Sequence, residues 1–296
     1  MTDHAFEPAT SARKALRRKL AGDTLVVAPG VFDMISVKMA DQMGFDCLYM
    51  TGFGTVASYL GVPDAGLASY TDMVNRVTTF CGGAQTPIIC DGDTGYGGLL
   101  NVAHTVRGYE RAGAAGIQLE DQEFPKKCGH TPGRRVIETD DMVRKIKVAV
   151  ETREDPDFLI VARTDARTSL GLDNALRRAE AYGKAGADVL FVESPESEEE
   201  LETIGARFDL PLLCNIVEGG RTPQLSPDRL QALGFSLAIY PGSGFCAVAE
   251  ALRRVYTDVK ARRGTLEAGD ALYPFDKMCD LMGFPAVWQF DKDHAS

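Results

Sequence analysis

Long apolar runs are missing from this chain. None approaches the ~18 residues of a membrane helix, so no membrane span is expected. Paired cysteine motifs are missing too. The seven cysteines, at 47, 81, 90, 128, 214, 246 and 279, form an odd, dispersed set without a C-x-x-C. That argues against a disulfide framework and against structural zinc, and the expectation is reduced thiols in the cytoplasm. Positive charge is scarce: 32 Lys and Arg against 42 Asp and Glu leave a net charge of −10. Nucleic acid and anionic membranes are therefore poor partners. An anionic substrate would need local positive charge, from a metal ion or from placed Arg and Lys. No GxGxxG or GxxxxGK[ST] follows the first apolar run, which weakens a doubly wound nucleotide-binding fold. The N-terminal stretch carries Asp3 and Glu7 and has no apolar core, so it does not read as a secretory signal. Arg13 to Leu20 read as a short amphipathic helix, capped by Thr10 or Ser11.

What is present is a repeating unit. A helical stretch ends in Gly and a short, almost unalternating apolar run follows, in DQMGFDCLYMTG, RAGAAGIQLED, KAGADVLFVES and ALGFSLAIYPG. Gly44, Gly113, Gly186 and Gly234 fit the position just past a helix end, where positive φ suits glycine. Such runs suit strands buried on both faces, as in a parallel sheet. Runs at 25–30, 87–93, 157–165 and 211–220 bring the strands to eight. Helical patterns lie between them, near 33–43, 70–81, 101–112, 139–152, 173–185, 197–207, 226–233 and 245–262. Eight alternating units without a linker predict a (β/α)8 barrel, one domain over 1–296. A less regular helical extension with several aromatics is expected from about 265.

Each strand run ends in polar residues: Tyr49-Met50-Thr51-Gly52, Asp91-Gly92-Asp93, Glu120-Asp121-Gln122, Arg163-Thr164-Asp165, Glu193-Ser194 and Asn215 with Glu218 after it. In a parallel barrel these ends share one rim, where barrel enzymes keep their sites. Asp91 and Asp93 are two apart, so both can face the rim. With Glu120 and Glu193 they concentrate hard oxygen ligands, which suit Mg2+, and Mn2+ as a substitute. Arg163 is placed to grip a carboxylate through its two-pronged edge. Cys128 follows strand four among Lys126, Lys127, His130, Arg134 and Arg135. A thiol beside cations has a lowered pKa and can serve as acid or base near neutrality. Cys47, Cys90 and Cys214, inside strand runs, read as small buried hydrophobes. Thr51 to Gly54 and Gly95 to Gly98 read as glycine-rich turns that can present backbone N–H groups.

The segments Asp91-Gly92-Asp93-Thr94-Gly95-Tyr96-Gly97, Glu120-Asp121-Gln122, Lys126-Lys127-Cys128-Gly129-His130, Ala162-Arg163-Thr164-Asp165-Ala166 and Asn215-Ile216-Val217-Glu218-Gly219-Gly220 resemble the isocitrate lyase / phosphoenolpyruvate mutase superfamily. The likeness runs from about 25 to 260, and the KKCGH segment resembles its lyase branches. That resemblance implies a barrel whose last helix is exchanged between subunits of a homotetramer. It implies Mg2+ held by Asp91 and Asp93, largely through waters, with Glu120 nearby and Asp64 on a loop beside it. Thr51, Gly52 and Phe53 would bind a substrate carboxylate, and Arg163, Glu193, Asn215 and Gly129 would line the same pocket. The Cys128 loop would close over the substrate, with Lys126 and His130 assisting.

The implied reaction is a retro-aldol cleavage of a 2-hydroxy dicarboxylate to a 2-oxo acid such as pyruvate and a carboxylate. Tyr49 is the candidate for taking the hydroxyl proton, and Cys128 the general acid. Glu218-Gly219-Gly220-Arg221-Thr222-Pro223 resembles enzymes that cleave 2-alkylmalates such as 2,3-dimethylmalate, the petal death protein among them. Cys246 stands where 2-methylisocitrate lyases carry an arginine for a third carboxylate. Methylisocitrate cleavage and oxaloacetate hydrolysis or decarboxylation remain the alternatives.

Overall fold

A computed structural model describes residues 9–129, 133–265 and 272–295. Eight parallel strands close into a barrel in chain order: β1 Val26–Val31, β2 Leu48–Met50, β3 Ile88–Asp91, β4 Gly116–Glu120, β5 Leu159–Thr164, β6 Val189–Val192, β7 Leu212–Asn215 and β8 Leu237–Tyr240, with β8 paired to β1. The expected fold class is therefore observed. Gly44, Gly113, Gly186 and Gly234 have φ of 74°, 96°, 105° and 91°, and each follows a helix as the spacing predicts.

Two buried layers explain why the strand runs do not alternate. Leu159, Val161, Val189, Phe191, Leu213, Leu237 and Ile239 fill the barrel interior with Val26, Ala28, Tyr49 and Ile89. The residues between them, such as Ile160, Ala162, Leu190, Val192 and Leu212, pack outward against the helices. Both faces of each strand are dry, so sequence patterning cannot say which residue points inward. Register can. In β5 the inward series Leu159, Val161 continues to Arg163, and in β6 Val189, Phe191 continues to Glu193. In β7 Leu213 leads to Asn215, and in β3 Ile89 leads to Asp91. Apolar residues thus fill the barrel from the bottom and give way to charge at the C-terminal rim.

The opposite end is tied down by the helix Ala9–Leu20. Its Leu16 and Leu20 join the inner cluster, and the buried Arg13 bonds the carbonyls of Ala114 and Glu110 and the carboxylate of Asp155. Thr10 and Ser11 lie within this helix instead of capping it. Two helices went unread in the sequence, Gly52–Leu60 and Ala166–Leu170.

Contacts divide the chain into a barrel unit, Glu7–Ser243, and a C-terminal unit from Gly244. Taken by itself, the latter continues the helix Ser243–Arg262 and adds Phe275–Met282 and Phe284–His294, with Gly283 at φ 83° between them. Tyr256, Phe275, Trp288 and Phe290 are exposed on this chain. No helix among the described residues is long and apolar enough to cross a membrane.

Candidate functional site

The rim of the barrel carries a connected, buried ionic network. Asp91, at the end of β3, accepts the backbone N–H of Asp93 at 3.0 Å. Asp93 sits at φ 48°, a left-handed turn that folds the chain back over the strand end. β4 adds Gln118 and Glu120, both inward because they stand two apart. Gln118 was missed in the sequence, although its spacing from Glu120 was the available signal. Its amide donates to Asp91 at 3.2 Å and to Glu120 at 3.5 Å, and its oxygen accepts the Tyr49 hydroxyl at 2.6 Å.

Lys126 is nearly inaccessible and bridges Asp64 at 2.5 Å and Asp93 at 2.6 Å. Burial alone would lower its pKa, but the Asp93 and Asp64 carboxylates outweigh burial and hold the ammonium well above the ordinary lysine range. Burial, then neighbouring Asp93, raises Asp91. Burial also lifts Glu120 well above its usual range, against the pull of Arg163. The Tyr49 phenol is pushed far up by burial and then by the Asp91 charge. So many carboxylates in a dry space raise one another's pKa unless a cation joins them.

Arg163 faces Glu120 across the β4–β5 register. Its two-pronged edge holds Asp165, with both contacts at 2.9 Å. The edge expected to grip a ligand is thus already engaged. The remaining terminal nitrogen lies 3.5 Å from Glu120, and Glu193 lies 3.3 Å from the guanidinium. Asn215 donates to Glu193 at 3.0 Å. Asp121, grouped with the rim by its place at a strand end, turns away. It accepts from Thr164, Tyr182, Arg178 and the backbone N–H of Asp165, which fixes the turn that presents Asp165.

Two glycines bring backbone against this network. Thr51 caps the helix Gly52–Leu60. A Cβ at Gly52 would lie 2.5 Å from an Asp91 carboxylate oxygen, so the helix N-terminus abuts the acidic site. Phe53 follows, partly exposed. At Gly129 a Cβ would overlap an Arg163 guanidinium nitrogen and stand 2.9 Å from the Glu193 carboxyl. The Gly129 carbonyl also accepts the Ser194 hydroxyl at 3.1 Å. The loop that carries Cys128 is therefore laid over Arg163 and Glu193. At its stem, Gln122 clamps the Lys127 backbone with bonds of 2.8 and 3.0 Å. Cys128 is partly exposed. His130 lies outside the described residues.

Among the described residues, no three His, Cys, Asp or Glu converge as direct ligands of one ion. The donors fit a hydrated ion better. Asp91, Asp93 and Glu120 offer only oxygen, and Glu120 Oε1 is buried with no hydrogen-bond partner among the described residues. A buried carboxylate oxygen without a partner is costly, and Mg2+ with retained waters would satisfy it.

The chain resembles known proteins over nearly its whole length. The family model described as phosphoenolpyruvate phosphomutase matches residues 16–260. A 2,3-dimethylmalate lyase of Eubacterium barkeri is 46% identical over 281 residues, 95% of this chain and 97% of that one. A 2-methylisocitrate lyase of Aeropyrum pernix is 39% identical, covering 94% and 89%. Oxaloacetate acetylhydrolase, solved with the inhibitor 3,3-difluorooxalacetate, superposes with a TM-score of 0.90 at 36% identity, covering 96% and 97%. Phosphonopyruvate hydrolase, solved with oxalate and Mg2+, gives 0.87 at 29%, covering 96% and 99%. With its closed barrel and its acidic rim, the chain belongs to the phosphoenolpyruvate mutase / isocitrate lyase superfamily, among its lyases.

Proposed function

We propose that this protein is a Mg2+-dependent carbon–carbon lyase that cleaves a 2-alkylmalate, such as 2,3-dimethylmalate, to a 2-oxo acid and a carboxylate. The observation that carries the reading is the seating of Gly129 on Arg163 and Glu193, which supports a role for the neighbouring Cys128 at the acidic rim. The 46% identity to a 2,3-dimethylmalate lyase supports the substrate class.

Asp91 and Asp93 would hold the ion, largely through waters, with Glu120 beside them. Asp64 takes part indirectly, by fixing Lys126. Bound there, Mg2+ supplies Lewis-acid stabilisation of negative charge on substrate oxygens, and Mn2+ would suit the same oxygens. Thr51, Gly52 and Phe53, at the positive end of their helix, would bind one substrate carboxylate. Arg163 acts through its charge and its remaining edge, since Asp165 occupies the other. Asn215 and Glu193 line the same wall. Tyr49 is held as a neutral phenol, so it serves as a hydrogen-bond partner of the substrate hydroxyl instead of a resting base.

That hydroxyl gives its proton to water at the rim, its oxygen becomes the new carbonyl and the C2–C3 bond breaks. The bond pair passes to C3 and is spread over the adjacent carboxylate. The Cys128 thiol then gives its proton to C3 and becomes a thiolate, which takes a proton back from solvent, and Lys126 and His130 would assist. Within this reading the enzyme is cytoplasmic and homotetrameric, and the exposed aromatic rows of the C-terminal helices support exchange of the last helix between subunits.

Oxaloacetate hydrolysis is the second reading, favoured by the TM-score of 0.90 with oxaloacetate acetylhydrolase. Product analysis on a panel of 2-alkylmalates, 2-methylisocitrate and oxaloacetate decides. The expected result is Mg2+-dependent release of a 2-oxo acid from a 2-alkylmalate, abolished by EDTA. Oxalate and acetate from oxaloacetate, with no 2-oxo acid from any malate, would replace it.

A further inference from the structure

Arg134 is absent from every role assigned so far. By sequence it belongs with the cations around Cys128, yet its side chain is almost inaccessible and turned elsewhere. Arg134 Nη1 lies 2.5 Å from Asp165 Oδ1, and Nη2 donates to the Thr168 hydroxyl at 2.6 Å. Asp165 is fully buried and is the residue that occupies the two-pronged edge of Arg163. The three form a chain, Arg134–Asp165–Arg163, that starts in the Cys128 loop and ends on the rim. The stem of that loop is closed beside Arg134, where the Glu123 N–H bonds the Arg135 carbonyl at 2.9 Å.

The charges give the chain its meaning. Arg163 alone faces Asp165, Glu120 and Glu193. Three carboxylates around one guanidinium would leave little net attraction for an anion. A second guanidinium on Asp165 neutralises that carboxylate locally, and Arg163 keeps a positive field toward the rim. The neutralising charge is fixed in place, because Arg134 is also held by the Thr168 hydroxyl.

We propose that Arg134 is a positioning residue that balances Asp165, so that Arg163 keeps its charge for the substrate carboxylates. The inference rests on the proposed reading of the rim as a dicarboxylate site. The test uses oxalate as a probe dianion, titrated calorimetrically into the full-length enzyme with Mg2+. Arg134→Gln removes the charge and keeps a hydrogen-bonding side chain, and its oxalate affinity should fall at least about tenfold. Arg134→Lys restores the charge and should stay within about threefold of wild type. The salt dependence of oxalate binding should weaken in Arg134→Gln and persist in Arg134→Lys. A purely structural role would lower Tm in both variants and spare the salt dependence.

Undiminished oxalate affinity in folded Arg134→Gln would overturn the inference while leaving the lyase reading intact. If Arg134→Gln does not fold, Arg134→Lys decides: a loss of about tenfold despite the retained charge overturns the inference. If the wild type itself fails to bind oxalate, the dicarboxylate reading fails and the inference goes with it.

Discussion

Gly129→Ala perturbs the contact on which the functional reading rests. The added methyl would overlap an Arg163 guanidinium nitrogen and stand 2.9 Å from the Glu193 carboxyl. Neither neighbour yields easily: Arg163 is held at two points by Asp165, and Glu193 accepts from Asn215 and from the Ser194 N–H at 2.7 Å. Forcing one methyl into such packing costs ~1–3 kcal/mol. The loop escapes that strain by lifting off, so the cost falls on the seated state and not on the barrel. Converted at ~1.4 kcal/mol per tenfold, kcat/KM should drop between ~5-fold and ~150-fold, while Tm moves by less than about 2 °C. A coupled assay of 2-oxo acid release gives the first number and differential scanning fluorimetry the second. Unchanged kcat/KM in Gly129→Ala would refute the reasoning, because the loop would then not need its seat on Arg163 and Glu193. A large fall in Tm would also refute it, since the strain would belong to the barrel.

Two further outcomes follow from burial. Thiolate is the species that reacts with iodoacetamide, and burial pushes Cys47 up to about 12 and raises Cys90 and Cys214 strongly. Peptide mapping after brief alkylation of the native protein at pH 8 should therefore find Cys128 and Cys246 modified and these three untouched. Asp165 is held below its ordinary 3.8 because Arg163 and then Arg134 outweigh its burial. A depressed carboxylate stabilises the fold above the unfolded-state value and loses that contribution as pH falls through the folded value. Asp165→Asn should cost about 3–5 kcal/mol in urea titrations at neutral pH. The gap to wild type should narrow only below pH 3.8, and a gap that narrows already at pH 5 would contradict the assignment.

The architecture was legible in the sequence because glycines past helix ends and dry apolar runs are local signals. Gly44, Gly113, Gly186 and Gly234 marked four of the eight junctions correctly. The helix Gly52–Leu60 was not legible, since Gly52-Phe53-Gly54 has the composition of a turn. The cap at Thr51 and the burial of Gly54, Thr55 and Val56 make it a helix. Side-chain direction was the other gap. In β4 the polar Gln118 stands two before Glu120 between the apolar Ile117 and Leu119, but the network through Tyr49, Gln118 and Asp91 emerges only with register. Arg163 was found, but its engagement by Asp165 was not, because a strand-end acid gives no sign of which side it faces. Arg134 misled for a similar reason: six residues after Cys128, it reads as a neighbour of the thiol, whereas the fold takes its guanidinium to Asp165.

The central claim is that Cys128 delivers the proton that ends the cleavage. Turnover of 2,3-dimethylmalate by Cys128→Ser, in D2O and beside wild type, tests it most directly. Wild type should place one solvent deuteron on the carbon next to the carboxylate of the released acid, the former C3 of the substrate. Cys128→Ser should lose about 10²–10⁴-fold in kcat while still binding oxalate with Mg2+. Near-wild-type turnover by Cys128→Ser, with the same deuteron incorporation, would contradict the account.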